Sequence, residues 1–200
     1  GVSPWYWWAD VPAKKRQSAY VLAGRYTSGE PKVKYRGVFI NDEAPCLTSW
    51  VKNTYGTNYG DHKFYSRVFE LILRLKGNYL WPAMWSWSFY ADDPLNSQVA
   101  DEMGVVVGTS HHEPMARNHQ EWTRKRKEHG AWNYATNQKV LDQFFQTGIE
   151  RMKETEDIVT IGMRGDGDEA MSKKTDTKLL ERVVENQRKI IEKVTKRPAK

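Results

Sequence analysis

Four short apolar runs end in polar or aromatic clusters, and stretches of helical periodicity separate them. The clusters are Phe39-Ile40-Asn41-Asp42-Glu43, Leu80-Trp81-Pro82-Ala83-Met84-Trp85, Thr109-Ser110-His111-His112-Glu113 and Met163-Arg164-Gly165-Asp166-Gly167-Asp168-Glu169. This alternation restricts the fold more than any other feature. Parallel strands need long crossovers, which helices supply, whereas hairpins need only tight turns. Functional side chains at the carboxyl ends of successive parallel strands are how a (β/α)₈ barrel presents its site. The expected fold is therefore α/β, a partial (β/α)₈ TIM-type barrel with about four parallel strands present.

Size supports the qualifier. The chain has 200 residues, whereas a complete barrel typically takes about 250. Residues 1–32 are expected to be a lead-in segment that packs on the barrel or on a neighbouring domain. Its Trp5, Tyr6, Trp7 and Trp8 would be costly to expose. Residues 33–200 are expected to be the first half of the barrel.

The spacing predicts helices over about 12–23, 62–76, 96–102, 114–129, 137–153 and 176–196. It predicts strands over 33–40, 78–81, 103–108 and 158–163. Val38, Phe39 and Ile40 are continuously apolar, as expected for a strand covered on both faces. Trp81 is expected in the packed core. Residues 46–60, rich in Gly, Asn, Thr and Tyr, read as a long loop. Pro82 lacks a donor and is placed at a strand's end.

Lys and Arg number 31 against 25 Asp and Glu, giving a formal charge of +6. Much of the excess lies in Arg124 to Lys127 and in the tail from Lys189, which read as solvated helix faces. The balance permits an anionic substrate. The aromatics gather at strand ends instead of alternating along a basic stripe, so no nucleic-acid partner is expected. No apolar run approaches the length of a membrane span, and no membrane partner is expected. Cys46 is the single cysteine, which rules out an intrachain disulfide and a thiolate metal cluster.

Asp166, Asp168 and Glu169 place three carboxylates within four residues, and Gly165 and Gly167 free the backbone around them. Glycosidic cleavage needs a proton donor for the leaving oxygen and a carboxylate that activates water. Asp168 is the best local candidate for one member. A calcium loop is the rival, though the full EF-hand spacing is absent, and a solvated acidic turn is the plain alternative. Arg164 offers a planar fork for a substrate carboxylate, or a neutralising partner for Asp166 or Glu169. Asp42 either binds a sugar hydroxyl or orients another group, or else forms an Asx-type turn and a helix cap. The adjacent Glu43 need not share its task.

His111 and His112 precede Glu113 and invite a metal reading, but neighbouring strand residues diverge. One imidazole facing the cavity is the preferred reading, so no metal and no cofactor are expected. His62, His119 and His129 have no partner visible in the sequence and read as surface or capping residues. Trp85 could cover an apolar sugar face.

Those four clusters, with the flanking Tyr35-Arg36-Gly37-Val38, Asn78-Tyr79, Gly108 and Gly162 and the opening Pro4-Trp5-Tyr6-Trp7-Trp8-Ala9-Asp10-Val11-Pro12, resemble glycoside hydrolase family 115. That family comprises xylan α-1,2-glucuronidases. The resemblance implies an inverting hydrolase that removes glucuronic acid or its 4-O-methyl form from xylan or xylo-oligosaccharides. It implies Asp168 as a catalytic carboxylate and Asp42, Trp85, His111 and Arg164 as substrate-binding residues. Glu43, His112, Glu113, Asp166 and Glu169 are possible supporting residues. It further implies a homodimer at full length, an extracellular or periplasmic location, and a companion glutamate on the next strand, beyond Lys200. The 200 residues alone are then expected to be inactive, since they need the remainder of the barrel. Two other readings stand beside this one: a non-catalytic carbohydrate-binding fragment, and a metal-dependent hydrolase using His111, Asp166 and Asp168.

Overall fold

A computed structural model describes residues 16–82 and 85–199. Four strands, β1 (Gly37–Ile40), β2 (Tyr79–Pro82), β3 (Val106–Gly108) and β4 (Asp157–Ile158), form one parallel sheet in the order β1-β2-β3-β4. Between β1 and β2 lie α1 (Cys46–Tyr55) and α2 (His62–Arg74). Between β2 and β3 lie α3 (Phe89–Asp92) and α4 (Leu95–Met103). A 3₁₀ turn (Pro114–Ala116), α5 (His119–Arg124), α6 (Arg126–His129) and α7 (Tyr134–Glu150) precede β4, and α8 (Thr177–Thr195) follows it. The sheet does not close. It is a partial (β/α)₈ arrangement with β1 and β4 at its edges.

Strand register explains which face is buried. Val38 pairs with Leu80 and Leu80 with Val107, so all three point to one side. Leu80 and Val107 are buried there against the helices. Phe39 pairs with Trp81, and Gly108 with Ile158, on the opposite side. Phe39 is 53% and Trp81 37% exposed, and their rings meet edge to face at 5.5 Å. This open apolar face is the one a closed barrel would enclose. It corrects two expectations: β1 is not covered on both faces, and Trp81 is not in the packed core. A Cβ on Gly108 would lie 1.9 Å from the Tyr79 hydroxyl on this face, so a larger residue there would push the Tyr79 ring aside.

The longer helices follow from apolar spacing and side-chain caps. In α2, Phe64, Val68, Phe69 and Ile72 are buried, and Asp61 caps the start by accepting from the Phe64 N–H at 3.0 Å. Asn133 caps α7 and Asp176 caps α8 in the same way. Helices α7 and α8 pack together. Gln187 of α8, fully buried, donates to the Gly162 carbonyl (2.8 Å) and accepts from its N–H (2.6 Å).

Other expectations change. Residues 16–23 form no helix, and Tyr20, Val21 and Leu22 are exposed with no packed face to stabilise one. Residues 1–15, including the aromatic opening, lie outside the described residues. The expected loop at 46–60 contains α1, which a ring cluster holds: Trp50 meets Phe64 at 6.1 Å and Tyr55 at 5.7 Å. The fourth strand is short and lies earlier than expected, since backbone beyond Ile158 finds other partners. The Thr160 carbonyl accepts from the Met115 N–H at 2.9 Å, and Gly162 is satisfied by Gln187. The first strand begins at Gly37 because the Val33 and Lys34 carbonyls accept from the Arg36 guanidinium instead. The expected 114–129 helix is broken at Lys125 into α5 and α6. Pro82 does end its strand, opposite Ile40.

Candidate active site

A cavity of ≈ 230 Å³ opens at the carboxyl ends of β1, β2 and β3. Phe39 and Trp81 form its floor, and Glu43, Trp85, His111, His112 and Glu113 are among its walls. A larger groove of ≈ 630 Å³ runs between α7 and α8, but none of the candidate residues lines it.

Asp42 lies behind the cavity and is almost completely buried. Its carboxylate accepts from the Trp85 (3.1 Å), Ser86 (3.0 Å) and Trp87 (3.2 Å) N–H groups. Burial raises its pKa, and those three bonds oppose the rise. Asp42 thus fixes the turn that carries Trp85. The Asx-type contact belongs to Asn41, which accepts from the Glu43 N–H at 3.4 Å.

His111 and His112 lie in a turn past β3, where adjacent side chains need not diverge. Their ring centroids are 4.1 Å apart, which corrects the expectation from strand geometry. His112 also meets the edge of Trp85 at 5.3 Å and places Nε2 3.4 Å from Asp168 Oδ1. Burial and the neighbouring His111 lower the His112 pKa, against the pull of Asp168. A neutral ring with its proton on Nε2 suits this geometry, since Nδ1 is buried without a partner among the described residues.

Asp168 is exposed and ion-paired to the Arg164 Nη1, while Arg164 Nη2 donates to the Asp168 carbonyl at 3.1 Å. Arg164 therefore touches Asp168 rather than Asp166 or Glu169. Asp166 turns away: Arg126 Nη2 donates to it at 2.8 Å, and His119 Nε2 lies at 2.9 Å. The bond from Arg126 holds its pKa below the ordinary value. His119 is thus a buried partner of Asp166, not a surface residue. His62 likewise has a partner, Asp93 at 2.7 Å. Glu169 lines a separate groove with Met171 and Lys173.

A metal centre on His111, Asp166 and Asp168 is not assembled. The donor atoms that converge, within 4.8 Å, come from His111, His112 and Asp168. A divalent cation there would meet the Arg164 guanidinium already paired with Asp168, and like charges at such range repel.

Glu113 is 2% exposed, and its Oε2 accepts from the Ser110 N–H at 3.0 Å and from the Ser110 hydroxyl. Burial pushes its pKa up to about 7. Nearby Asp42 pushes the same way.

The sequence reading missed a partly buried ionic cluster behind these walls. Glu121 pairs with Arg151 (2.8 Å) and Arg117 (3.2 Å). Asn118 and Glu121 form a reciprocal capping box at the start of α5, and their Asn-x-x-Glu spacing was the available signal.

The profile of glycosyl hydrolase family 115 matches residues 28–200. This chain belongs to that family. Among solved structures it is similar to a family GH115 4-O-methyl-α-glucuronidase, BtGH115A, described as specific for decorated arabinogalactans. The TM-score is 0.78 at 36% identity, over 96% of this chain and 26% of that one. The chain thus spans about a quarter of the length of the family GH115 structure it matches. No curated protein matches it.

Proposed function

We propose that these residues form part of the active site of an inverting α-glucuronidase, which releases glucuronic acid or 4-O-methyl-glucuronic acid from polysaccharide side chains. The observation that carries this reading is the convergence of Trp85, His111, His112 and the Arg164–Asp168 pair at one rim of the sheet. An aromatic face, imidazole donors and a guanidinium beside a carboxylate suit a sugar that bears its own carboxylate.

In this reading Trp85 covers the sugar ring, and His111 and Arg164 meet its hydroxyls or carboxylate. Asp168 is one of the two carboxylates that divide the acid and base work. The other is a glutamate supplied from outside these residues, and in an inverting site the pair leaves room for the attacking water. Asp42 acts from behind, by holding Trp85. Activity belongs to the longer protein, with the barrel completed. A homodimer and an extracellular or periplasmic site of action are part of the proposal, the latter because a polysaccharide substrate does not cross a membrane.

The polymer proposed is glucuronic-acid-substituted xylan. The specificity of BtGH115A favours a second reading, with decorated arabinogalactan as substrate. The full-length protein, offered both polymers with proton NMR of the products, separates them. The proposal expects uronic acid to appear first as the β-anomer, since an inverting enzyme acts on an α-linkage. No uronic acid from either polymer, or the α-anomer first, would contradict it.

A further inference from the structure

Ser88, Asn118 and Arg151 join the walls of the sugar pocket to one largely enclosed carboxylate, Glu121, and the adjoining Gln120 adds a fourth strut. Its Oε1 accepts from Ser88 Oγ (3.2 Å), so it touches the loop after β2 directly. The same oxygen accepts from the Asn118 N–H (3.0 Å) and from Arg151 Nη2 (2.8 Å). Asn118 Nδ2 donates to the Trp87 carbonyl (2.8 Å), and Gln120 Nε2 to the Trp85 carbonyl (2.8 Å). The α5 start therefore grips both ends of the turn that presents Trp85. Arg151 reaches the other wall, where Nη2 also donates to the Ala116 carbonyl.

That second contact falls on a constrained backbone. Met115 and Ala116 have φ of 60° and 54°, the left-handed region that non-glycine residues seldom occupy. Both are buried, and only Pro114 separates them from the His111-His112-Glu113 turn. Such a conformation persists only where its surroundings impose it. Here the Thr160 carbonyl, Arg151 and the close face of Gly148 impose it.

We propose that Glu121 is a positioning residue of the sugar pocket: with Arg151 and the α5 start it sets the Trp85 wall against the His111–His112 wall. Glu121 touches no reacting group. It acts through the 5.3 Å contact of Trp85 with His112, the point at which the two walls meet. The consequence for binding rests on the uronic-acid reading above, whereas the alignment of the walls does not.

The test uses the full-length protein labelled with 5-fluorotryptophan, with the Trp85 resonance assigned by its loss in Trp85→Phe. Glu121→Asp keeps the charge but withdraws it, and Gln120→Ala removes one strut at a partly exposed site. Both variants are expected to shift or broaden the Trp85 signal. Both should weaken glucuronic acid binding roughly three- to tenfold, as loss of one or two hydrogen bonds implies. KM should rise by the same factor, with kcat within about twofold of the parent. If Glu121→Asp does not fold, Ser88→Ala, which removes the hydroxyl that donates to Glu121 Oε1, takes its place and decides. An unchanged Trp85 resonance and unchanged affinity in folded variants would overturn the proposal. If the parent binds no glucuronic acid, the functional reading fails, and the Trp85 resonance still decides whether Glu121 aligns the walls.

Discussion

Asp42 and Glu113 are neighbouring buried acids with different means of support. Three N–H groups hold Asp42, whereas Ser110 alone supplies the N–H and hydroxyl that hold Glu113 among the described residues. The sign of the pH effect follows. The Glu113 pKa is raised in the folded state, from 4.5 to about 7, so its contribution is full below about 4.5 and is lost as pH rises through about 7. Asp157, pushed up to about 6 from 3.8 by burial, acts in the same direction. Glu113→Gln should therefore flatten the fall in stability between about pH 4.5 and 7 without abolishing it, since other groups titrate there too. Denaturant unfolding across that range checks it, and an unaltered slope would show that Glu113 does not titrate there. At Trp85, Trp85→Ala should raise KM about tenfold or more, while Trp85→Phe retains part of the aromatic surface and loses less. Equal losses in steady-state kinetics would count against ring coverage of the sugar.

Elements differ in how far the sequence disclosed them. Helices α2, α7 and α8 were legible because each combines apolar residues at helical spacing with an Asp or Asn cap. Helix α1 was not, since it has no side-chain cap at its start and its support comes from the Phe64 ring on α2. The fourth strand was legible as an apolar run but not in register, because Gln187, distant in sequence, takes the hydrogen bonds of Gly162. Among site residues, the four clusters announced Trp85, His111, Arg164 and Asp168. The roles of Asp42 and Asp166 depended on partners more than 35 residues away, Trp85 to Trp87 and Arg126, which no local pattern displays. One glycine position tests the element contacts. A Cβ on Gly148 would lie 2.2 Å from the Met115 carbonyl oxygen. Gly148→Ala should then cost about 1–3 kcal/mol in chemical denaturation, as overpacking does. It should also displace the turn that bears His111 and His112. A change within about 0.5 kcal/mol would mean that this crossing has room to relax.

At the scale of the molecule, the sheet presents an open apolar face and two edge strands, features that a closed barrel removes. The chain covers about a quarter of the BtGH115A structure. We therefore expect the 200 residues alone to release no uronic acid and to self-associate, which light scattering and product analysis would show. Multiple turnovers above a mock control would contradict the need for further strands.

The most direct test of the central claim is the rate of uronic acid release by the full-length protein carrying Asp168→Asn. The substitution keeps the side chain's shape, and an acid–base group positioned as proposed is worth at least about 100-fold. The account predicts a loss in kcat/KM of that size or more, with folding intact. A folded variant within about twofold of the parent would mean that the chemistry does not pass through Asp168.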